Sequence, residues 1–176
     1  MHATPVALVT LAGPDGPLTV AATERGVASA VWTADHDAVR ALLVRRLGPA
    51  ISATHQARTR LAQARPVVEA LLAGVRVDAS VVPIDLDDRP AFDRAVLLAV
   101  RQISWGQTAS YGEIARRIGA PRAARAVGGA VARCPIAILI PCHRIIAADG
   151  TLGGYGGDGP FDRTDALERK RLLLLR

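Results

Sequence analysis

Mainly apolar runs separated by short polar segments in the first third of the chain predict a small antiparallel sheet. Three runs of strand-forming residues are separated by short segments rich in glycine, proline and acidic residues, which favour turns. These runs cover residues 6–11, 18–23 and 27–32. Because only short turns join consecutive runs, we expect the three strands to form a β-meander.

The pattern is weaker in the segment that follows this sheet. Asp37 can cap a helix over residues 38–47, and Pro66 can begin a second, short helix. A further strand-like run lies at 79–82, and the acidic, proline-containing stretch 85–90 is typical of a linker.

Helical periodicity dominates the second half of the chain. Four apolar residues between positions 92 and 100 recur on one helix face, and we expect this helix to end near Gly106. Ser110 and Glu113 then have the spacing of a capping box, in which each side chain binds a backbone amide at a helix start.

A helix-turn-helix is predicted directly after this capping box. The first helix would end at Ile118, and Pro121 would begin a second helix that runs to Arg133. Two short helices joined by a tight turn form the motif that places its second helix in a groove of DNA.

The second helix of this motif combines arginines with very small residues. Glycine inside a helix costs roughly 1 kcal/mol relative to alanine, so its presence needs a reason. Both close approach to nucleic acid and tight helix packing would explain it, and the spacing favours packing. The residues concerned are Arg122, Ala124, Arg125, Ala126, Gly128, Gly129 and Arg133.

A candidate nucleophile follows an apolar run over 136–140, which predicts a buried strand. Cys142 lies at the end of this run, next to His143 and Arg144. Cationic neighbours favour the thiolate, which is the nucleophilic form of cysteine. The residues alone leave open a buried structural thiol instead.

Positive charge is concentrated in the same half of the chain. Residues 1–90 contain nine arginines and nine acidic residues, whereas residues 91–176 contain 12 arginines and Lys170 against seven acidic residues. The whole net charge of +6 therefore lies in the second half. A one-sided basic surface is typical of a protein that binds polyanions, although an ordinary solvated face remains open.

Composition excludes several classes of protein. Two cysteines are too few for a disulfide framework or an all-cysteine zinc site, and the histidines show no metal-ligand spacing, so we expect no metal and no cofactor. No apolar run is long enough to cross a membrane, and the N-terminus lacks the plan of a signal peptide. We expect a soluble, cytoplasmic and monomeric protein without membrane contact.

Four motifs together resemble the O6-alkylguanine-DNA alkyltransferases, which are also called methylated-DNA–protein-cysteine methyltransferases. The resemblance covers most of residues 91–157, and the order of the motifs makes it specific. The motifs are Ser110-Tyr111-Gly112-Glu113, Arg125-Ala126-Val127-Gly128-Gly129-Ala130, Ile140-Pro141-Cys142-His143-Arg144-Ile145-Ile146 and Gly153-Gly154-Tyr155.

The resemblance implies an α+β protein with two domains. Residues 1–88 would form a small N-terminal α/β domain of meander and helices, and residues 89–176 a mainly helical domain with the helix-turn-helix and the active-site cysteine. Such a protein would bind double-stranded DNA in the minor groove, flip out an O6-alkylguanine, mainly O6-methylguanine, and transfer the alkyl group irreversibly to Cys142.

The resemblance also implies roles for individual residues. His143 would accept the thiol proton, Tyr111 would assist flipping and donate to the departing purine, and Arg125 would occupy the space of the extruded nucleotide. Substrate contacts would come from Cys134, Ile145, Tyr155 and Gly156. Further DNA contacts would come from Ser110, Arg122, Ala124, Ala126, Gly128, Gly129, Arg133 and Arg144.

The chain departs from the family pattern at several places. Cys134 stands where the family usually has asparagine, and Gly156 stands where it has serine or a similar residue. The family's last helix carries a glutamate that orients the histidine, and here it would be the residue after Arg176. Either the chain is truncated or another acid replaces this glutamate, for which Asp165 and Glu168 are candidates if the helix position changes. An extra stretch over 158–164 is expected to form a loop that adjusts access for bulky lesions.

Three other functions are alternatives to a single-turnover alkyltransferase. A catalytically silent alkyltransferase-like protein would bind the lesion without reacting, but such proteins typically lack the cysteine. A helix-turn-helix regulator would make the cysteine motif accidental. A cysteine hydrolase with turnover is the weakest alternative, because no complete set of cysteine, histidine and amide or acid can be assigned.

Overall fold

The computed structural model describes residues 4–48, 51–155 and 163–176. The chain divides into two compact units, of which the first contains residues 1–88 and 135–139 and the second contains residues 89–134 and 140–176. The sequence places 135–139 in the second domain, whereas in the structure these residues belong to the first unit. The reason is that Ile136 bridges Ala30 in parallel.

The first unit is built on the predicted meander. Its three antiparallel strands are adjacent in chain order, and the long second helix packs on them. A separate parallel pair joins two short strands. The elements are β1 (Thr4–Pro5), β2 (Ala7–Leu11), β3 (Leu18–Ala22), β4 (Val27–Val31), α1 (His36–Leu47), β5 (Ile51–Ser52) and α2 (His55–Leu72).

Both predicted helix starts in this unit are wrong. The carboxylate of Asp35, not Asp37, accepts from the Ala38 amide and caps α1. Thr54 caps α2, so Pro66 lies inside a helix of 18 residues instead of starting one. A helix starts after its N-cap residue, which has an extended backbone. The side-chain oxygen of that residue accepts a hydrogen bond from a backbone amide that has no partner within the helix.

The segment after α2 also differs from its prediction. A 3-10 turn over Ala79–Val81, capped by Asp78, replaces the expected strand. The acidic stretch is not a free linker, because buried Asp85 accepts hydrogen bonds from Thr23 and Arg25. These contacts attach the stretch to the meander.

The second unit is mainly helical. Its elements are α3 (Ala91–Arg101), β6 (Ala109–Ser110), α4 (Tyr111–Arg117), α5 (Ala124–Ala132), β7 (Ile145–Ile146) and α6 (Arg163–Leu174). Helices α3, α4 and α5 pack against one another over fully buried residues such as Val96, Ile114 and Val127. Helix α3 ends at Arg101, five residues before the predicted stop at Gly106.

The predicted helix-turn-helix is present as α4 and α5. Both hydrogen bonds of the capping box are formed, since the Ser110 hydroxyl accepts from the Glu113 amide and the Glu113 carboxylate accepts from the Ser110 amide. Gly119, with φ +75°, follows α4 in the left-handed conformation that glycine adopts readily. Helix α5 begins at Ala124, three residues after the predicted start at Pro121.

Candidate active site

Two tight turns, not a strand, deliver Cys142 to its position. The Leu139 amide donates to the Ala137 carbonyl across Ile138, and the Cys142 amide donates to the Ile140 carbonyl across Pro141, both at 2.8 Å. Each bond spans three residues and is therefore a γ-turn. The strand predicted over 136–140 is wrong, because the first turn bends the chain within this run and the second bends it directly after Ile140.

The first of these turns is strained. Ile138 has φ +69°, a left-handed conformation that is rare for a β-branched residue. Its side chain is only 5% exposed, so burial offsets the backbone cost. The chain is thus held in a defined path four residues before the nucleophile.

Cys142 begins a 3-10 turn that runs to Arg144 and is 7% exposed. A hydrogen bond with Cys134 and burial raise the pKa of the Cys142 thiol well above its ordinary value, while the charge of Lys170 acts in the opposite direction. The thiol is therefore protonated at rest, and a base must remove its proton before it can attack.

His143 is the neighbouring base and is held neutral. Burial, helped by the charges of Arg144 and Lys170, lowers the pKa of His143 to about 3. Its Nδ1 atom is buried and has no hydrogen-bond partner among the described residues. An uncharged imidazole can accept a proton, which is the role expected of His143.

Asp165 and Glu168, the two carboxylates predicted to orient His143, do not bind it. Glu168 is engaged on the exposed face of α6, where it accepts from Arg171 at 2.8 and 2.9 Å. Asp165 is also exposed. Both predictions are wrong because α6 turns these residues towards solvent.

Tyr111 is brought to the site by a parallel strand pair. β6 pairs with β7 so that Ala109 faces Ile145 and Ser110 faces Ile146, which aligns the start of α4 with the chain just after Cys142. Burial raises the pKa of Tyr111, and the charge of Cys142 acts in the same direction, while a hydrogen bond from the Gly154 amide opposes both. The phenol is therefore neutral and able to donate a proton.

Lys170 binds the segment that follows Cys142, although it was not among the residues predicted for the site. It is fully buried, and its Nζ atom donates to the carbonyls of Ile145 at 2.5 Å, Gly154 at 3.0 Å and Leu152. Burial lowers the pKa of Lys170 to about 8, opposed by the charge of Cys142. One ammonium thus uses all three donors to bind the segment that follows the nucleophile.

The same ammonium affects two predicted substrate contacts. One lone pair of the Ile145 carbonyl is occupied by Lys170, so that carbonyl has one lone pair left for a ligand. The ring of Tyr155 has its centroid 6.0 Å from the Lys170 nitrogen. Gly156 lies outside the described residues, as does most of the predicted loop over 158–164.

The basic residues predicted to bind DNA fall into two groups. Arg122 and Arg125 are exposed at the start of α5, beside exposed Ala126 and partly exposed Ala124. Arg116 and Arg117 are exposed in α4. These residues form a basic surface of the helix-turn-helix that carries no acidic residue other than Glu113.

The remaining predicted contacts have partners within the protein. Arg133 makes a bidentate ion pair with buried Asp93 at 2.9 Å, and Arg144 donates to the Ile103 carbonyl and lies 5.1 Å above the ring of Trp105. The Ser110 hydroxyl caps α4. These three residues stabilise the fold, and their contact with DNA stays a prediction.

The two glycines of α5 have no backbone or core atom against them that would exclude a Cβ atom. A Cβ atom on Gly128 would lie 3.7 Å from the Tyr111 ring, an ordinary contact. On Gly129 it would meet only the flexible Arg133 guanidinium, at 3.2 Å. The preference for packing over close approach to a ligand is therefore wrong for Gly128, since alanine would fit there.

No group of three metal-ligating side chains occurs in residues 4–48, 51–155 and 163–176. Within the same ranges, no helix has the length and apolar character needed to cross a membrane.

Comparisons with known proteins identify relatives of this domain. The family model "6-O-methylguanine DNA methyltransferase, DNA binding domain" matches residues 91–176. A methylated-DNA–protein-cysteine methyltransferase of Mycolicibacterium paratuberculosis is 53% identical over 92 residues, which are 52% of this chain and 51% of that protein. The matched part of this chain thus spans about half the length of the curated relative.

Two crystal structures are similar over nearly the whole chain. The O6-methylguanine methyltransferase of Mycobacterium tuberculosis has a TM-score of 0.70 and 35% identity, with 97% of this chain and 91% of that chain covered. Mycobacterium tuberculosis OGT in complex with DNA has a TM-score of 0.70 and 34% identity, with the same coverage of 97% and 91%.

Proposed function

Because the chain belongs to the 6-O-methylguanine DNA methyltransferase family, we propose that it repairs O6-alkylguanine in duplex DNA by transferring the alkyl group to its own Cys142. The observation that carries this proposal is the buried Cys142 thiol, which the buried, neutral His143 follows in the chain. Tyr111 and Lys170 are near enough for their charges to interact with that of Cys142. We also propose that it acts in the cytoplasm, in association with DNA.

DNA binding is assigned to the helix-turn-helix. Exposed Arg122 and Arg125 at the start of α5 attract the phosphate backbone, and Gly128 lets the helix approach the floor of the minor groove. Arg125 is the residue that fills the gap left by the flipped nucleotide. Flipping is necessary because O6 of a stacked, paired guanine is out of reach of a buried thiol.

Chemistry then takes place in one displacement. His143 accepts the Cys142 proton, directly or through water, and the sulfur attacks the alkyl carbon. The S–C bond forms as the C–O bond breaks, and its electron pair goes to the guanine O6. Tyr111 donates a proton to the purine, and Lys170 stabilises negative charge on the sulfur.

Only one turnover follows from this chemistry. The product is a thioether, which has no good leaving group, so the cysteine is not regenerated. The reaction needs a reactive thiol and a proton acceptor, both of which the chain supplies, and no dissociable group enters the displacement.

The test is intact mass after incubation with duplex DNA that carries O6-methylguanine. We expect one added methyl group, located on Cys142 by fragmentation of the tryptic peptide 134–144. Cys142→Ser is expected to gain no mass, and an otherwise identical duplex with unmodified guanine is the substrate control.

Other outcomes would identify other functions. An unmodified chain that binds the lesion more tightly than plain duplex would be a silent lesion-binding protein. Equal binding to both duplexes without any mass change would indicate a regulator. A methyl group on Cys134 would overturn the assignment of the nucleophile.

A further inference from the structure

A bidentate ion pair holds the end of α5 against α3. Nε and Nη2 of Arg133 donate to the two carboxylate oxygens of Asp93, each at 2.9 Å. The side chain of Asp93 is 5% exposed, whereas that of Arg133 is 47% exposed. Two parallel hydrogen bonds fix the plane of the guanidinium as well as its distance, which a single bond does not. The pair therefore restrains how the two helices meet at this point.

Both partners lie at helix ends within the second unit. Asp93 belongs to the first turn of α3, and Arg133 is the C-cap of α5, where its amide donates to the Gly129 carbonyl. The guanidinium lies over this last turn of α5, since a Cβ atom on Gly129 would be 3.2 Å from its Nη1 atom. The pair thus joins the last turn of α5 to the first turn of α3.

The position of α5 matters for the proposed reaction. This helix carries Arg125 and Gly128, to which DNA binding is assigned above, and Arg133 lies at its opposite end. A helix of nine residues is braced by its own backbone hydrogen bonds, so a shift of its last turn also moves its first turn. Loss of the ion pair would therefore displace the residues that meet the groove.

We propose that Arg133 is a positioning residue of the alkyl transfer, which acts through Asp93 to hold α5 where Arg125 and Gly128 meet the DNA. This role rests on the proposed function and differs from a direct contact between Arg133 and the phosphate backbone. The two roles make opposite demands on Asp93. A positioning arginine needs the carboxylate, whereas a carboxylate competes with phosphate for the donors of an arginine that binds DNA.

Asp93→Asn separates these roles without changing Arg133. The asparagine side chain offers one acceptor atom in place of two, and the arginine keeps its charge. We expect the rate constant of methyl transfer at saturating O6-methylguanine duplex to fall about tenfold or more, because the reacting groups are misplaced. Affinity for duplex should fall as well. Equal or tighter binding with an unchanged rate constant would assign Arg133 to the phosphate backbone and overturn the proposal.

Arg133→Lys is the second variant. Lysine keeps the positive charge and can bind a phosphate, but it cannot pair with both carboxylate oxygens in one plane. We expect its methyl transfer to be as slow as that of Asp93→Asn. The double variant should be no slower than either single variant, because both changes remove the same interaction. Wild-type transfer by Arg133→Lys, or effects that multiply in the double variant, would contradict a role through Asp93.

Stability is measured separately from the reaction. All variants are assayed at a temperature at which circular dichroism shows them to be folded. A pair that only stabilises the fold would lower the melting temperature and leave the rate constant unchanged, which would overturn the proposal.

Arg94→Met is the matched control, because it removes an exposed positive charge next to Asp93 in α3. We expect it to transfer methyl groups at the wild-type rate, and a loss equal to that of Asp93→Asn would contradict a specific role for the pair. If wild type transfers no methyl group, the proposed function fails. The affinities of the same variants for plain duplex then still decide whether Arg133 positions α5 or binds phosphate.

Discussion

At the scale of single residues, the chemistry of the site depends on how burial shifts proton affinities. The same environment raises the pKa of Cys142 and lowers the pKa of His143 to about 3, so neither group is charged at neutral pH. Sequence adjacency alone predicted a thiolate beside cationic neighbours. The structure instead gives a neutral pair from which the thiolate forms as the proton leaves.

Burial of His143 makes the protein less stable in acid. Its pKa is about 3 in the folded protein and 6.5 ordinarily, so between these values the unfolded chain binds one proton more than the folded chain. The free energy of unfolding therefore falls as the pH drops from 6.5 towards 3. His143 contributes about 1.4 kcal/mol to this fall for each pH unit.

Urea denaturation at several pH values in this range measures that share. His143→Gln keeps a polar side chain without the titration, so its free energy of unfolding should fall less steeply with acid than that of wild type. Parallel curves for the two proteins would show that the folded state does not exclude the proton from His143.

Lys170 is expected to be a large contributor to stability in the second unit. Removing its ammonium with Lys170→Met leaves the carbonyls of Ile145, Leu152 and Gly154 without this donor, which should cost about 3 kcal/mol or more. Alkyl transfer should also slow, because the segment behind Cys142 loses its anchor and the sulfur loses a nearby positive charge.

Arg171→Met is the matched control for this substitution on the same helix. Arg171 pairs with exposed Glu168, so its loss should cost less than about 1 kcal/mol. Thermal or urea unfolding compares the two variants, and equal stability would show that the Lys170 hydrogen bonds contribute little.

At the scale of elements, α5 is less stable than its packing allows. Its two adjacent glycines each cost roughly 1 kcal/mol relative to alanine, and the surroundings of Gly128 leave ordinary space for a methyl group. A helix that keeps such residues without a packing need indicates a constraint outside the free protein. Close approach to DNA is the constraint that the proposed function supplies.

Gly128→Ala should therefore separate stability from binding. We expect the free energy of unfolding to rise by up to about 1 kcal/mol, while affinity for duplex DNA and the rate of methyl transfer fall because the added methyl group holds the helix away from the groove. Denaturation and fluorescence anisotropy with labelled duplex measure the two effects.

Gly112→Ala is the matched control, because it adds the same methyl group to a glycine of α4. A Cβ atom there would meet nothing closer than 3.8 Å. Its DNA affinity should stay closer to that of wild type. If Gly128→Ala binds DNA as tightly as wild type, α5 does not approach the groove in the proposed way.

At the scale of the whole molecule, the structure shows which arginines of the basic second half are exposed to solvent and which are paired within the protein. The sequence counts seven arginines over residues 101–150. Arg133 and Arg144 are used inside the second unit, whereas Arg116, Arg117, Arg122 and Arg125 are exposed on the helix-turn-helix. The charge that can meet a phosphate backbone therefore lies on two adjacent helices.

Local patterns were sufficient for much of the fold and for choosing Cys142 as the candidate nucleophile. The meander, the capping box of Ser110 and Glu113, and the helix-turn-helix all depend on residues close together in the chain, and the motif around Cys142 is itself contiguous. Patterns failed where a distant partner decides the outcome. Residues 136–140 look like a strand because they are apolar, yet γ-turns and the Ala30 bridge give them another path.

The sequence by itself thus determined the family, the meander and the helix-turn-helix, because these depend on local and contiguous residues. Only the tertiary structure decided which groups surround the thiol. Cys134 raises the pKa of the Cys142 thiol and Lys170 lowers it, although these residues lie 8 and 28 positions away from Cys142 in the chain. Burial then sets the protonation of the site, since desolvation depends on three-dimensional packing and not on neighbours in sequence.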